Sequence, residues 1–186
     1  VMAGALCGSA ELITGKFAPV MRTAGMVLSP FNAWVVLKGL ETLSVRVKAH
    51  CQNALAVAQW LEAQPNVARV YYPGLPSHPQ HALALRQMGG LGGGVVTFEV
   101  KGEGAEQLQR RAFHVIDSCS WLSIATNLGD TKTIVSHPAT TSHGRLTEEQ
   151  RMAAGMSQGV IRVAVGLEYP QDVMADLARG LDGCGA

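Results

Sequence analysis

The run Val160-Ile161-Arg162-Val163-Ala164-Val165 limits the fold of this 186-residue chain more tightly than any other stretch. Apolar residues fill both alternating sets of positions, so a short strand here asks for cover on both faces. Arg162 then projects from a surface otherwise made of Val160 and Ala164. A guanidinium does not shed its proton, and leaving it unpaired in a half-buried place is costly, so the pattern predicts a carboxylate or phosphate partner held through two parallel hydrogen bonds. Two sources are open: an Asp or Glu of the protein, or a ligand.

Around that strand, hydrophobic periodicity alternates between helix and strand. Val1 to Cys7 reads as part of a buried strand with no cap before it, as though a domain were entered partway. Ala10 to Met26 reads as short helices broken by Gly15 and Pro19. Ser29-Pro30 opens a long helix, the hydroxyl capping free amides and the proline fitting the first turn. Its stripe runs through Val36, Leu40, Leu43, Val47, Cys51, Ala54, Ala58 and Leu61 and stops before Pro65, with Gly39 as a point of bending. Strands follow at Val67 to Tyr72, Val95 to Val100, Trp121 to Ala125 and Thr133 to Ser136, with helices at His81 to Met88 and Gly104 to Phe113. Thr147 and Gln150 make a capping box stopped at Gly155. Pro170 starts a final helix with Asp172 in its first turn and Arg179 near its end. Such alternation predicts an α/β or α+β sandwich, a sheet with helices packed on it.

Composition excludes more than it assigns. An apolar content of 47% is ample for a packed core, and a net charge of +1 without a basic block speaks against nucleic acid or an anionic membrane as the main partner. Cys7, Cys51, Cys119 and Cys184 show neither a CxxC pair nor zinc spacing, which points to reduced thiols in the cytoplasm, with Cys184 exposed. No apolar run reaches transmembrane length. The cluster Gly89-Gly90-Leu91-Gly92-Gly93-Gly94 lacks the Gly-Lys-Ser/Thr ending of a phosphate loop and precedes a strand, so closely packed or flexible backbone is the better account. His78 and His81 have no third ligand near them. His137 and His143, flanking a Pro-Ala-Thr-Thr-Ser loop, read as hydrogen-bonding residues; His50 and His114 read as structural, the latter in a strand-like run.

Three motifs in order, Asn127-Leu128-Gly129-Asp130, Ser136-His137-Pro138-Ala139-Thr140-Thr141-Ser142-His143 and Gly159-Val160-Ile161-Arg162-Val163-Ala164-Val165-Gly166-Leu167-Glu168, together resemble the C-terminal half of the Cys/Met-metabolism family of pyridoxal-phosphate enzymes. Tyr72-Pro73-Gly74-Leu75 and His78-Pro79-Gln80-His81 extend the resemblance over essentially the whole chain. It implies the C-terminal part of an aspartate-aminotransferase-like, fold type I transferase: residues 1–28 ending the large cofactor domain, 29–64 an interdomain helix, and 65–186 a small α/β sandwich that binds substrate. It further implies pyridoxal 5'-phosphate as cofactor, with Arg162 gripping the α-carboxylate of an amino-acid substrate, Asn127 standing where many relatives carry Ser, and Thr126 adding a contact. None of the five lysines, Lys16, Lys38, Lys48, Lys101 and Lys132, sits in the family's Ser-x-x-Lys context, so the Schiff-base lysine is expected upstream of Val1 and no catalytic residue or metal ligand within the chain. Asn127-Leu128-Gly129-Asp130-Thr131-Lys132-Thr133 leans toward the sulfhydrylase branch, which adds sulfide to O-succinylhomoserine to form homocysteine. Cystathionine γ-synthase or γ-lyase chemistry, or a non-catalytic module, are the alternatives. The relatives are usually homotetramers, dimers of dimers, acting on small molecules in the cytoplasm.

Overall fold

The computed structural model describes residues 1–184, and the chain divides into two compact units, Val1–Val45 and Arg46–Ala186. In the first unit, residues 1–9 form no regular element, so the strand expected over Val1 to Cys7 is absent: its backbone has no neighbouring strand to pair with. Helix α1 (Ala10–Leu12), capped by the Ser9 hydroxyl, runs through a π-helical turn (Ile13–Phe17) into α2 (Ala18–Ala24), which ends on Gly25 in the left-handed conformation. Ser29 caps α3 (Pro30–Glu41) through the amide of Asn32, as the Ser-Pro pair dictates.

The helix expected to continue unbroken to Leu61 instead stops at Thr42 (φ −108°, ψ 4°), not at Gly39, and restarts as α4 (Leu43–Glu62). The apolar stripe buries only from Cys51 onward: Cys51, Ala54, Ala58 and Leu61 are buried, whereas Leu40, Leu43 and Val47 are exposed.

The second unit is built on one mixed sheet. Its strands are β1 (Val67–Tyr71), β2 (Val95–Val100), β3 (Ser123–Ile124), β4 (Ile134–Ser136) and β5 (Val160–Ala164), ordered β1-β2-β5-β4-β3. All neighbours are antiparallel except the parallel pair β3–β4. The doubly apolar run thus occupies the centre of the sheet, with a strand hydrogen-bonded along each of its edges. The remaining helices are α5 (His81–Gln87), α6 (Gly104–Asp117), α7 (Glu148–Ala153) and α8 (Pro170–Gly183). Val96, Phe98, Val100, Val135, Ile161 and Val163 form a buried cluster with Val57 and Leu61 of α4, Val115 of α6 and Leu177 and Leu181 of α8. This is the expected α/β sandwich.

Several local expectations change. His114 lies in α6, which extends to Asp117, because the apolar periodicity of Ala112, Val115 and Ile116 carries the helix on. Cys184 is buried at 3% exposure, not exposed, its thiol directed to the Arg111 carbonyl. Arg179 falls short of the last turn of α8 and lies 3.6 Å from Asp176 instead. The capping box at Thr147 and Gln150 is present with both of its bonds. The glycine cluster is mixed: Gly89, Gly90 and Gly93 have positive φ and open space at the Cβ position, whereas Gly92 is closely packed. A Cβ on Gly92 would lie 2.6 Å from the Tyr72 hydroxyl, which itself donates to the Gly93 carbonyl at 2.9 Å.

Candidate substrate-carboxylate site

Antiparallel register sets Arg162 opposite Thr97 of β2 and Ser136 of β4. Directly opposed residues share a sheet face, so these three polar side chains form a row across the middle of the sheet. The opposite face is the helix-covered core, carrying Val96, Val163 and Val135. Sequence therefore places the one cation of β5 on the face away from the helices that bury Ile161 and Val163.

Among the described residues the guanidinium has one partner: Nη2 donates to the backbone carbonyl of Thr126 at 2.8 Å. Among the described residues no Asp or Glu pairs with it, so neither of the two sources left open by the sequence is seen in use within this chain. A carbonyl neutralises no charge, and the other guanidinium donors stay available to an anion. Beside Arg162, the Ser136 hydroxyl is buried, at 3% exposure for the residue, with no hydrogen-bond partner among the described residues. A buried orphan hydroxyl next to a cation without a counter-charge marks a place organised for a polar group that the chain itself does not supply.

Thr126 and Asn127 lie on the loop between β3 and β4. That loop turns at Gly129, whose φ of +79° is a left-handed conformation suited to glycine. Asp130 tightens it by accepting from the Lys132 amide at 3.0 Å, which outweighs desolvation and, with the Thr131 hydroxyl, holds its carboxyl below the usual range. The structure brings Thr126 and Arg162 together through the carbonyl rather than the hydroxyl. Asn127 is exposed and its amide makes no hydrogen bond among the described residues, which leaves it able to donate to a ligand.

The histidines resolve into structural roles. His137 Nε2 lies 2.8 Å from the Gln158 carbonyl, which can only accept, so Nε2 carries the proton and Nδ1 accepts from the Thr140 hydroxyl at 2.9 Å. Burial pushes its pKa down and outweighs the Gln158 bond. His50 and His81 each place Nδ1 against a backbone carbonyl, Val165 and Pro73 respectively. His78 Nδ1 accepts from the Gln80 amide, so the two histidines of that segment are engaged separately. Among the described residues no group of His, Cys, Asp and Glu could hold a metal ion, and no helix is long and apolar enough to cross a membrane.

Thr133 and Glu168 were not foreseen as site residues. The Thr133 amide donates to Glu168 Oε1 at 2.6 Å and its hydroxyl to Oε2 at 2.8 Å. Both close runs quoted from the sequence, Thr133 the Asn127–Thr133 run and Glu168 the Gly-Leu-Glu ending after β5, but neither carries chemistry by itself.

Residues 1–182 match the family described as Cys/Met metabolism PLP-dependent enzyme, and the chain belongs to it. It is 56% identical over 180 residues to the O-succinylhomoserine sulfhydrylase of Pseudomonas aeruginosa, covering 97% of this chain and 43% of that protein. It is 42% identical over 183 residues to an L-methionine gamma-lyase of Porphyromonas gingivalis, covering 98% of this chain and 44% of that one. Among solved structures, a cystathionine gamma synthase of Xanthomonas oryzae superposes with a TM-score of 0.82 at 36% identity, covering 95% of this chain and 44% of that chain. The chain thus spans less than half the length of the curated relatives it matches. The fold is that of these pyridoxal-phosphate enzymes.

The family's cofactor, when bound, supplies an electron sink for carbanion chemistry at the substrate α carbon. The residues present fit the substrate side of such a site. Arg162 keeps a guanidinium without a counter-charge, whereas all five lysines are exposed and none is placed as a buried covalent anchor.

Proposed function

We propose that this chain is the substrate-binding C-terminal part of a pyridoxal-phosphate-dependent O-succinylhomoserine sulfhydrylase, forming homocysteine from O-succinylhomoserine and sulfide. The observation that carries the reading is Arg162, a central-strand guanidinium whose one partner among the described residues is the Thr126 carbonyl. It has the geometry to take an α-carboxylate through two parallel bonds, with Asn127 adding an amide donor from the loop. The role is orientation: fixing the carboxylate presents the reacting carbon to groups outside this chain. The choice of sulfide as acceptor is supported by the 56% identity with the Pseudomonas enzyme, against 42% with the gamma-lyase.

A second reading, cystathionine γ-synthase, draws support from the superposition on the Xanthomonas enzyme, which was crystallised with aminoacrylate and cysteine. Turnover by the full-length enzyme separates them. Supplied with O-succinylhomoserine, a sulfhydrylase yields homocysteine with sulfide faster than cystathionine with cysteine, and the reverse preference overturns the proposal. Methionine cleavage as the dominant activity would place the enzyme with the lyases.

Association into a homotetramer and a cytoplasmic location complete the proposal. The exposed Val20, Phe31, Trp34, Leu37 and Leu40 of the first unit support burial of that surface in the complete protein. Light scattering on the full-length enzyme tests the assembly, and a monomer there contradicts it.

A further inference from the structure

The segment that carries Thr126 and Asn127 is locked at its downstream end by one fully buried residue, Thr133, at 0% exposure. Four of its bonds converge from three places. Its amide and hydroxyl donate to the two oxygens of Glu168 at 2.6 and 2.8 Å. The same hydroxyl oxygen accepts from the Gly166 amide at 2.8 Å, and the Thr133 carbonyl accepts from the Ser123 amide at 3.1 Å. Leu167 adds a bond from its amide to the Thr131 carbonyl at 2.8 Å. On the far side, Asn53 of α4 donates to the carbonyls of Gly166 and Glu168 at 3.0 and 2.9 Å. Gly166 leaves no room for change, since a Cβ there would lie 2.6 Å from the Lys132 carbonyl carbon.

The bracket fixes the end of β5, the start of β4 and the start of β3 against one another. The loop between β3 and β4 is thereby closed to one length and hands its Thr126 carbonyl to Arg162 at 2.8 Å. It also engages both oxygens of Glu168, the first carboxylate after β5 in sequence, with donors other than Arg162. We infer that Thr133, with Glu168, is a positioning residue for the substrate carboxylate: through Gly166 and the Thr126 loop it sets where the Arg162 guanidinium points. The inference rests on the carboxylate-grip reading of Arg162 and adds to it residues that touch no ligand.

The test uses steady-state kinetics of the full-length enzyme with O-succinylhomoserine varied. Thr133→Val is nearly isosteric and removes the hydroxyl bonds to Glu168 and Gly166; Thr133→Ser keeps them. Loss of aim by a charge-assisted pair raises KM for the ester about tenfold in Thr133→Val, with Thr133→Ser near wild type. Glu168→Gln, which replaces one acceptor by a donor at constant volume, shifts KM the same way and serves if Thr133→Val does not accumulate as folded enzyme. A residue acting through Arg162 has nothing left to aim once the guanidinium is gone, so in an Arg162→Ala background Thr133→Val adds no further KM change. Wild-type KM in Thr133→Val, or the same fold-change with and without Arg162, overturns the positioning role while leaving the carboxylate grip standing. An unchanged KM in Arg162→Ala alone removes the grip, and the positioning role with it.

Discussion

Asp176 of α8 is a carboxylate at 0% exposure with its charge answered almost wholly by backbone. It accepts from the Ser120 amide at 3.0 Å and hydroxyl at 2.9 Å, and from the Trp121 and Leu122 amides at 3.2 and 3.1 Å. Desolvation raises its pKa, but the amides of Ser120, Leu122 and Trp121 outweigh it and hold the carboxyl below the usual range. Asp176→Asn keeps one carbonyl oxygen but turns an NH2 group toward donors, leaving about two buried donors unsatisfied. At about 1–3 kcal/mol for each such loss the substitution costs about 3 kcal/mol. With a urea m-value of about 2 kcal/mol/M, the unfolding midpoint falls by about 1.5 M. The pH dependence supplies an independent signature. A carboxyl whose folded pKa lies below its unfolded value of about 3.9 binds more protons when unfolded, so its stabilisation is complete above that value. It is lost as pH falls through the folded pKa. The gap between wild type and Asp176→Asn in urea titrations is therefore full at pH 7 and narrows on acidification below about pH 4. A midpoint shift below about 0.5 M, or a gap independent of pH, refutes the reasoning.

Gly180→Ala puts a Cβ 2.5 Å from the Val115 Cα, where α8 crosses the backbone of α6. Backbone cannot swing aside, so the two helices separate and stability drops by about 2 kcal/mol or more, readable as a lower Tm. Burial pushes the His137 pKa below the ordinary histidine value of about 6.5, so an NMR titration is expected to show it protonating below that value. Its unfolded form binds the proton more readily, so the stabilisation it gives is present above about pH 6.5 and declines as pH falls through that value toward the folded pKa.

How much of this was legible in the sequence depends on whether a residue's role was local. The Ser29 and Thr147 caps and the strand Val95–Val100 followed from short-range rules, and each is found. The apolar residues on both faces of β5 marked it as a strand, but its central place in the sheet had no signal of its own. Helix continuity across Thr42 was not readable, because the stripe keeps its spacing while the backbone leaves the helical region at one residue. The strand expected at Val1 to Cys7 had the right composition, but a strand exists only with a partner, and composition names none. At the site, Arg162 announced itself as a cation in an apolar strand. Its Thr126 partner is a backbone carbonyl 36 residues away, and the Thr133–Glu168 bracket spans 35 residues. Neither leaves a local pattern, since both depend on the β4–β5 register. Asp176 drew no reading from the sequence, because its amide partners carry no side-chain identity.

The claim on which the account turns is that Arg162 grips the substrate carboxylate. Its most direct measurement is KM for O-succinylhomoserine in full-length enzyme carrying Arg162→Ala, with cofactor absorbance recorded on the same samples. Removing a charge-assisted bidentate contact raises KM by about a hundredfold and lowers kcat while the cofactor stays bound, and Arg162→Lys recovers only part because a single ammonium cannot reproduce the fork. A KM within twofold of wild type, with cofactor content intact, contradicts the account.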